Sequence, residues 1–326
     1  MPKVSILMPV KDAGSFLEQT LKSILDQDFQ DWELIAIDDH STDRSGLILD
    51  SYSHSDSRIR VFENIGQGII PALRLALTKS NAELITRMDA DDTMPPCKLS
   101  LMMHAAEKGN VITGKLNYFR EDQPLGDGYS RYADWLNELV DKGDHWNQIY
   151  KECVIASPCW MMFREDLVRI GAFDSDVYPE DYDLVFRMYK GRLTVKCIPE
   201  ILHLWRDHPD RSSRNDPHYS DNRFLDLKLR YYLGLELKKE KELILWGAGK
   251  KGKYIAKALN SEGIPFQWTT DNPKKWGHEI HGTLVEQPLE LNDSHQVVIA
   301  VASEEDQAEI MQILENQAPH SYHFFC

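Results

Sequence analysis

Apolar strand patterns alternate with amphipathic helix patterns in the first part of the chain, and this alternation restricts the possible folds more than any other feature. Strand patterns cover Val4–Val10, Trp32–Ile37, Ile59–Phe62 and Ala82–Thr86, with helix patterns between them. Strands connected by helices in this way form a parallel sheet with helices on both faces. Because ligands of such sheets bind at the carboxyl ends of the strands, the pattern predicts an α/β fold with its site at that edge.

Acidic residues follow several of these strands, and we expect them to converge at the same edge of the sheet. Carboxylates that lie close together repel one another and are costly to desolvate. A divalent cation bound to phosphates relieves this, since Mg²⁺ and Mn²⁺ take hard oxygen ligands and often only one or two protein carboxylates. A solvated acidic turn is the alternative, but the apolar strand before Arg87–Asp92 and the prolines after it favour a metal site. The acidic residues are Asp12, Asp38, Asp39, Asp89, Asp91 and Asp92.

Length, charge and cysteine content restrict the class of protein. The chain has 326 residues, which exceeds the usual size of a single core and predicts two domains. A formal net charge of -15 argues against nucleic acid as a partner. The five cysteines are scattered without a CxxC pair, as is typical of reduced thiols in the cytosol. Since we recognise neither a signal peptide nor an apolar span of about 18 residues, we expect a cytoplasmic protein without a transmembrane helix.

A second strand–turn–helix pattern begins late in the chain, after a helix predicted over residues 223–241. The strand Leu243–Trp246 leads into GxGxxG spacing, and the next strand is closed by an aspartate, which together are typical of a dinucleotide-binding fold. The residues of this possible second nucleotide site are Gly247, Gly249, Gly252 and Asp271. We therefore predict a first domain at 1–222, a linking helix at 223–240 and a Rossmann-like domain at 241–326.

The function of this C-terminal domain has two interpretations. One is a nucleotide site on the glycine-rich turn, and the other is a domain that docks partners or forms a homo-oligomer. The segment is too short for a complete dehydrogenase and no Tyr-x-x-x-Lys follows the turn, so hydride transfer is not expected.

The earlier motifs resemble, in order and spacing, the family 2 glycosyltransferases of the GT-A fold. The resemblance covers about residues 3 to 215. Its motifs are Val4–Lys11, Leu34–Asp43, Asn64–Gly66, Arg87–Asp92, Ala156–Arg164, Gly171–Asp174, Pro179–Leu184 and Ile201–His208. It implies a GT-A domain that transfers a sugar from a nucleotide sugar with inversion, as in the assembly of bacterial surface polysaccharides.

The resemblance also implies roles on the donor side of the site. Asp91 and His208 correspond to ligands of Mn²⁺ or Mg²⁺. His203 is the alternative histidine, although its leucine-flanked position favours a packed strand residue, and Asp92 is expected to act through water. Ser212 and Ser213 lie with Arg211 where relatives carry a loop over the diphosphate. The residues implied in nucleotide-sugar binding are Pro9, Val10, Asp12, Asp39, Asp89 and Arg211.

On the acceptor side, the resemblance makes Asp181 the general base, with Glu180 beside it. Trp160 is a further acceptor-side candidate that could stack on a sugar or belong to the core. A single base suits an in-line displacement, which predicts inversion at the anomeric carbon. Acceptor specificity is expected to reside in residues 120–150, which match no firm pattern.

The predicted function is therefore transfer from a nucleotide sugar, with a UDP-sugar expected, to a saccharide or lipid-linked saccharide acceptor. Lipopolysaccharide, O-antigen or capsule assembly, with peripheral association at the inner face of the membrane, is the expected setting. A non-catalytic nucleotide-sugar sensor is one alternative. A nucleotidyltransferase is another, but it would need a glycine-rich basic loop after the first strand, and Lys11–Gly14 is not such a loop.

Overall fold

The structure is a computed structural model that describes residues 1–120, 127–209, 211, 221–317 and 321–326. The chain divides into two compact units, residues 1–145 with 154–217 and residues 146–153 with 218–326. The short segment 146–153 therefore groups with the second unit, although it lies within the range that the sequence assigned to the first domain.

The first unit alternates strands and helices over most of its length. Its strands are β1 Val4–Val10, β2 Trp32–Asp38, β3 Ile59–Glu63, β4 Leu84–Arg87, β5 Asn110–Phe119, β6 Trp160–Phe163 and β7 Thr194–Arg206. Its helices are α1 Leu17–Leu25, α2 Ser45–Ser55, α3 Ile69–Lys79, α4 Lys98–His104, α5 Asp127–Lys142, α6 Arg164–Arg169 and α7 Glu180–Lys190.

The strands of the first unit form one mixed sheet. Among the described residues its order is β3-β2-β1-β4-β6-β5-β7. Strand β1 pairs in parallel with β2 and β4, whereas β6 runs antiparallel to β4 and β5. The predicted α/β fold is confirmed, and the parallel part places the ends of β1, β2 and β4 at one edge.

The core of this sheet follows from its continuous apolar strands. Ile6 and Leu7 in β1 and Leu34 in β2 are 0% exposed, as expected for strands that are covered on both faces. Helix α1 contributes Leu17 and Leu21, whose spacing of four residues places both side chains on one helix face. This packing fixes the framework from which the loops at the carboxyl edge project.

The second unit contains the predicted Rossmann-like arrangement. Its elements are α8 Asp221–Leu235, β8 Glu242–Trp246, α9 Lys250–Ser261, β9 Gln267–Thr269, β10 Glu279–Ile280, β11 Thr283–Glu286, β12 His295–Ile299, α10 Glu304–Gln317 and β13 Tyr322–Phe324. Its sheet order within the described residues is β10-β11-β9-β8-β12-β13, and only β10 is antiparallel to its neighbour. Numbered along the chain, the parallel strands stand in the order 3-2-1-4-5, which is the order of dinucleotide-binding folds.

Helix α8 ends earlier than the sequence predicts. It stops at Leu235 rather than continuing to Lys241. The side-chain amide of Gln296 accepts a hydrogen bond from the Lys238 backbone N–H at 3.0 Å and donates to the Lys238 carbonyl at 2.8 Å. These bonds hold the backbone in a non-helical conformation directly before β8.

Among the described helices, none is both long and apolar enough to span a bilayer.

Candidate active site

The acidic loop after β4 begins with an ion-pair network centred on Arg87. The Arg87 side chain is buried and its Nε donates to Asp89 Oδ1 at 2.8 Å. Its Nη1 donates to Glu180 Oε1 at 3.1 Å. Burial and the neighbouring Asp91 charge raise the pKa of Asp89, although Arg87 opposes this shift. One guanidinium therefore connects the loop after β4 to the start of α7.

Asp91 and His208, the two predicted metal ligands, lie side by side. His208 Nε2 is 2.9 Å from Asp91 Oδ2, and the imidazole packs on Phe16 with ring centroids 4.5 Å apart. Burial alone would raise the pKa of Asp91, but the hydrogen bond to His208 and the charge of Arg211 lower it below the usual value. Asp91 is therefore ionised at neutral pH.

A carboxylate–imidazole pair of this kind fits a divalent cation that takes its remaining ligands from a diphosphate and water. The buried Nδ1 of His208 has no hydrogen-bond partner within the described residues, while Nε2 of the same ring is held by Asp91. No group of three or more His, Cys, Asp or Glu side chains in the described part of the chain is arranged to hold a metal alone. The pair is consistent with a shared site and not with a cage made only of protein ligands.

Asp92 does not face solvent, in contrast to the expected contact through water. It is 0% exposed, its Oδ2 lies 2.9 Å from His203 Nε2, and its Oδ1 accepts the Arg206 backbone N–H at 2.8 Å. Burial and the charges of Asp91 and Asp89 raise the pKa of Asp92 well above its usual value. His203, also 0% exposed, is a packed strand residue as the sequence favoured, and burial keeps its pKa well below the usual value.

The Asp39 side chain is 7% exposed and organises the turn that precedes α3. Its Oδ1 accepts from Asn64 Nδ2 at 2.6 Å, and both of its oxygens accept from the Gly68 N–H, at 3.0 and 2.9 Å. The predicted contact with a nucleotide sugar would therefore be made by a carboxylate that is already held by the protein. Asp38 accepts from the Ser41 N–H at 3.0 Å and holds its turn.

The remaining candidates on the donor side line the ends of β1 and β2. Val10 accepts the Asp39 N–H at 2.8 Å through its carbonyl, and Pro9 precedes it in the strand. Asp12 has a φ of 46° and its Oδ1 accepts from the Thr42 N–H at 2.7 Å. The main chain of Pro9 and Val10 thus meets the two aspartates at the edge predicted for a nucleotide.

Arg211 lies in an aromatic environment near the acidic loop. Its guanidinium carbon is 4.9 Å from the ring centroid of Trp205, 5.6 Å from that of Tyr118 and 5.9 Å from that of Tyr129. The positive charge lowers the pKa of Asp91, which places Arg211 within electrostatic reach of the predicted metal ligand. Ser212 and Ser213 lie outside the described residues.

Asp181 and Glu180 begin helix α7, where the helix dipole favours negative charge. Burial and the charges of Glu180 and Asp89 raise the pKa of Asp181 to about 7, although the positive charge of Arg87 opposes this shift. Glu180 is 4% exposed and bonded to Arg87, while Asp183 pairs with Arg187 at 2.6 Å on the same helix. Asp181 is therefore the carboxylate of this helix that is suited to exchange a proton near neutral pH.

Trp160 does not present a stacking surface for an acceptor. It is 1% exposed in β6, and its carbonyl accepts the Thr86 hydroxyl at 2.6 Å within the sheet core. Its burial follows from its position in a central strand, so the core interpretation replaces the acceptor role.

The similarity of this chain to known proteins identifies its family. A model of the family described as "Glycosyl transferase family 2" matches residues 5–171, which is just over half of the chain. The chain belongs to glycosyl transferase family 2.

Relatives in this family carry glycosyltransferase names. "Glycosyltransferase GlyG" of Streptococcus pneumoniae is 34% identical over 217 residues, covering 62% of this chain and 70% of that protein. "GalNAc(5)-diNAcBac-PP-undecaprenol beta-1,3-glucosyltransferase" of Campylobacter jejuni is 26% identical over 194 residues, covering 59% of this chain and 61% of that protein. The chain spans about half, 52%, of the length of "Probable glycosyltransferase YdaM" of Bacillus subtilis, with 25% identity over 219 residues and 64% of this chain covered.

Solved structures share the fold. S. aureus TarS 1-349 in complex with UDP-GlcNAc aligns with a TM-score of 0.55 and 16% identity, covering 79% of this chain and 72% of that chain. The mannosyltransferase PcManGT of Pyrobaculum calidifontis, in complex with GDP-Man and Mn²⁺, aligns with a TM-score of 0.51 and 17% identity, covering 72% and 70%. At these identities the likeness shows the GT-A-type fold of this family 2 chain.

Several residues of the site were not singled out from the sequence. Arg206 donates its Nε to the Asp91 carbonyl at 2.7 Å, and Thr20 Oγ1 lies 2.7 Å from the Asp92 carbonyl. Lys98 is 0% exposed and donates its Nζ to the Pro158 carbonyl at 2.6 Å. These residues lie in ordinary helix and strand patterns. The one signal in the sequence that could have identified them is a polar residue at a position of the pattern that is otherwise apolar.

The glycine-rich turn of the second unit has the geometry that its spacing predicts. Gly247 has a φ of 115°, which favours glycine, and a Cβ on Gly252 would collide with the Gly247 carbonyl oxygen. A Cβ on Gly249 would meet no atom within 4 Å. Asp271 Oδ2 accepts from Trp246 Nε1 at 2.7 Å, which anchors the end of the neighbouring strand.

Proposed function

We propose that this family 2 glycosyltransferase moves a sugar from a nucleotide sugar to a hydroxyl group of a saccharide or lipid-linked saccharide. The observation that carries the proposal is the Arg87 bridge between Asp89 and Glu180. It connects the carboxylates that family resemblance assigns to the donor with those it assigns to the acceptor. Asp91 lies two residues after Asp89, and Asp181 directly follows Glu180. The donor and the acceptor would therefore meet at one cluster of carboxylates.

The donor diphosphate would be held with a divalent cation between Asp91 and His208. When bound, Mn²⁺ or Mg²⁺ would neutralise charge on the leaving diphosphate. Asp91 supports this role through its lowered pKa, because a cation requires the ionised carboxylate. Arg211 would add positive charge on the same side of the site.

The transfer step requires one base. Asp181 accepts the proton of the acceptor hydroxyl while that oxygen forms a bond to the anomeric carbon. The bond from the anomeric carbon to the phosphate oxygen breaks on the opposite side, and the nucleoside diphosphate leaves with the electron pair, which inverts the configuration. A pKa of about 7 suits Asp181 for this work, since a general base is most effective near the operating pH.

The chemical class of donor and acceptor is supported by different observations. A UDP-sugar is favoured by the family resemblance, which assigns Asp39 to the uracil base, but the titles of the similar structures name both UDP-GlcNAc and GDP-Man, so the fold alone does not select the base. The name of the Campylobacter jejuni relative specifies a lipid-linked acceptor. By analogy we propose that this chain acts in lipopolysaccharide, O-antigen or capsule assembly, associated with the inner face of the membrane.

Incubation with UDP-, GDP- and CMP-sugars, with Mn²⁺, Mg²⁺ or EDTA, tests this proposal. We expect metal-dependent release of a nucleoside diphosphate from one class of donor, increased by a suitable acceptor. A non-catalytic sensor would bind the donor but would not release a nucleoside diphosphate from it. A nucleotidyltransferase would instead release pyrophosphate from a nucleoside triphosphate.

The second unit carries two separate proposals. Backbone N–H groups at Gly249 and at the start of α9 could receive a phosphate, since no atom lies within 4 Å of a Cβ placed on Gly249. The other proposal is a homo-oligomer contact. A thermal-shift screen of nucleotides and nucleotide sugars, with measurement of molecular mass by light scattering, separates the two.

A further inference from the structure

A chain of buried polar side chains lies beside the acidic loop and takes no part in the proposed transfer step. Lys98 on α4, His203 on β7 and Asp92 are each 0% exposed. Lys98 Nζ donates to the Pro158 carbonyl at 2.6 Å and lies 3.5 Å from His203 Nδ1. His203 Nε2 lies 2.9 Å from Asp92 Oδ2. Because a fully buried lysine is costly unless its donors are satisfied, this arrangement demands an explanation.

The direction of the hydrogen bonds follows from the lysine. In its ammonium form Lys98 has donors and no acceptor, and His203 Nδ1 then accepts from it at 3.5 Å. The hydrogen of the imidazole then resides on Nε2, which donates to Asp92. The three side chains therefore form a directed chain that begins at Lys98 and ends on the carboxylate adjacent to Asp91.

Other contacts fix the backbone of the same loop. Arg206 donates its backbone N–H to Asp92 Oδ1 at 2.8 Å and its Nε to the Asp91 carbonyl at 2.7 Å. Thr20 Oγ1 lies 2.9 Å from the Ala90 carbonyl and 2.7 Å from the Asp92 carbonyl. With the backbone held on these sides, the Asp92 carboxylate links the loop to β7, the strand that leads to His208.

We propose that Lys98 and His203 are positioning residues that align Asp91 and His208 for a divalent cation. Asp92 adjoins one ligand in the sequence and His203 lies on the strand that carries the chain to the other. The bond between Asp92 and His203 therefore acts together with the Arg206 N–H bond to Asp92 and the Thr93–Leu204 backbone pair to set the separation of the two ligand-bearing segments. This inference rests on the proposed metal-dependent function.

The test is the affinity for Mn²⁺ measured by calorimetry on the full chain with UDP present. Lys98→Met keeps the length of the side chain and removes its donors, so Mn²⁺ affinity should fall, by at most the roughly 10–100-fold seen when direct partners of metal ligands are removed. UDP affinity without metal should stay unchanged. Lys228→Met is the matched control, because Lys228 is also buried, at 2% exposed, and donates to the Lys151 carbonyl at 2.7 Å in the second unit. It should lower the melting temperature and leave Mn²⁺ affinity unchanged.

Two further variants keep the proposal testable if Lys98→Met does not fold. His203→Ala should lose Mn²⁺ affinity to the same degree, and His203→Gln, which retains a donor for Asp92, should recover part of it. Wild-type affinity in folded Lys98→Met or His203→Ala protein would overturn the positioning role while leaving the proposed function intact. If the wild-type chain binds Mn²⁺ neither with UDP nor with GDP, the metal-dependent function and the positioning role both fall.

Discussion

Asp181 is the residue on which the chemistry of the proposed reaction depends. Asp181→Asn keeps the shape of the side chain and removes its basicity, so turnover should fall by about 10²–10⁴-fold, as for the loss of a general base. Donor affinity should persist, because the proposed reaction places Asp181 on the acceptor side. Asp183→Asn is the matched control on the same helix, and it should reduce stability through loss of the Arg187 pair without a comparable loss of turnover. Near-normal turnover by Asp181→Asn would remove it from the role.

The same residue predicts a pH dependence. With a pKa of about 7, Asp181 becomes protonated as the pH falls, so kcat/KM should decline below pH 7 and level off above it. Arg87 lowers the pKa of Asp181 by its positive charge. Arg87→Met should therefore raise that pKa and move the acid limb of the profile to higher pH. Arg87→Lys, which keeps a positive charge, should move the limb less, and coincident limbs in all three proteins would contradict the assignment.

At the scale of elements, the loop between β4 and α4 carries the proposed cation site. Asp91→Asn removes a ligand charge with little change of shape, so Mn²⁺ should no longer strengthen UDP binding. UDP affinity in EDTA, measured by the same calorimetric titration, provides the control and should match wild type. Undiminished stimulation by Mn²⁺ would exclude Asp91 as a ligand.

The sequence predicts those parts of the site that depend on residues close together in the chain, and it does not predict contacts between distant residues. The order of strands predicts that Asp39 and Asp91 lie at the same edge, because a parallel sheet brings the ends of its strands together. Asp181 begins a helix, and only the family resemblance assigned it to the site. The Lys98–His203 contact joins residues 105 positions apart, and no local pattern encodes such a pair. The burial of Trp160 was also not predictable from the sequence, since an aromatic residue in a short strand can pack in the core or line a binding face.

The glycine-rich turn before α9 gives a second prediction at this scale. Gly252→Ala would place a Cβ against the Gly247 carbonyl, which is already held by Trp268 Nε1 at 2.9 Å. This overpacking should cost about 1–3 kcal/mol in the free energy of unfolding. Gly249→Ala is the matched control, because its Cβ meets no atom within 4 Å and stability should hardly change. Equal unfolding midpoints in denaturant would show that the turn relaxes freely.

At the scale of the whole molecule, segment 146–153 belongs to the second unit through an aromatic cluster. Tyr150 stacks on Phe325 with ring centroids 5.4 Å apart and an interplanar angle of 9°. Tyr232 meets both rings edge-on, at 5.8 and 5.7 Å. A cut near residue 240 would therefore remove Phe325 from a cluster formed partly by a much earlier segment, so the second unit cannot be separated cleanly at one point of the chain.

Phe325→Ala tests the contribution of this cluster in the intact chain. Phe325 is 0% exposed, so its truncation should cost about 3–5 kcal/mol in the free energy of unfolding, measured by calorimetry. Trp276→Ala removes a large ring that is 39% exposed in the same unit and should cost less. Donor turnover below the melting temperature should be retained, because Asp91, Asp181 and His208 all belong to the first unit. An unchanged unfolding transition would show that the cluster adds no stability, whereas lost turnover in folded protein would show that the second unit influences the site.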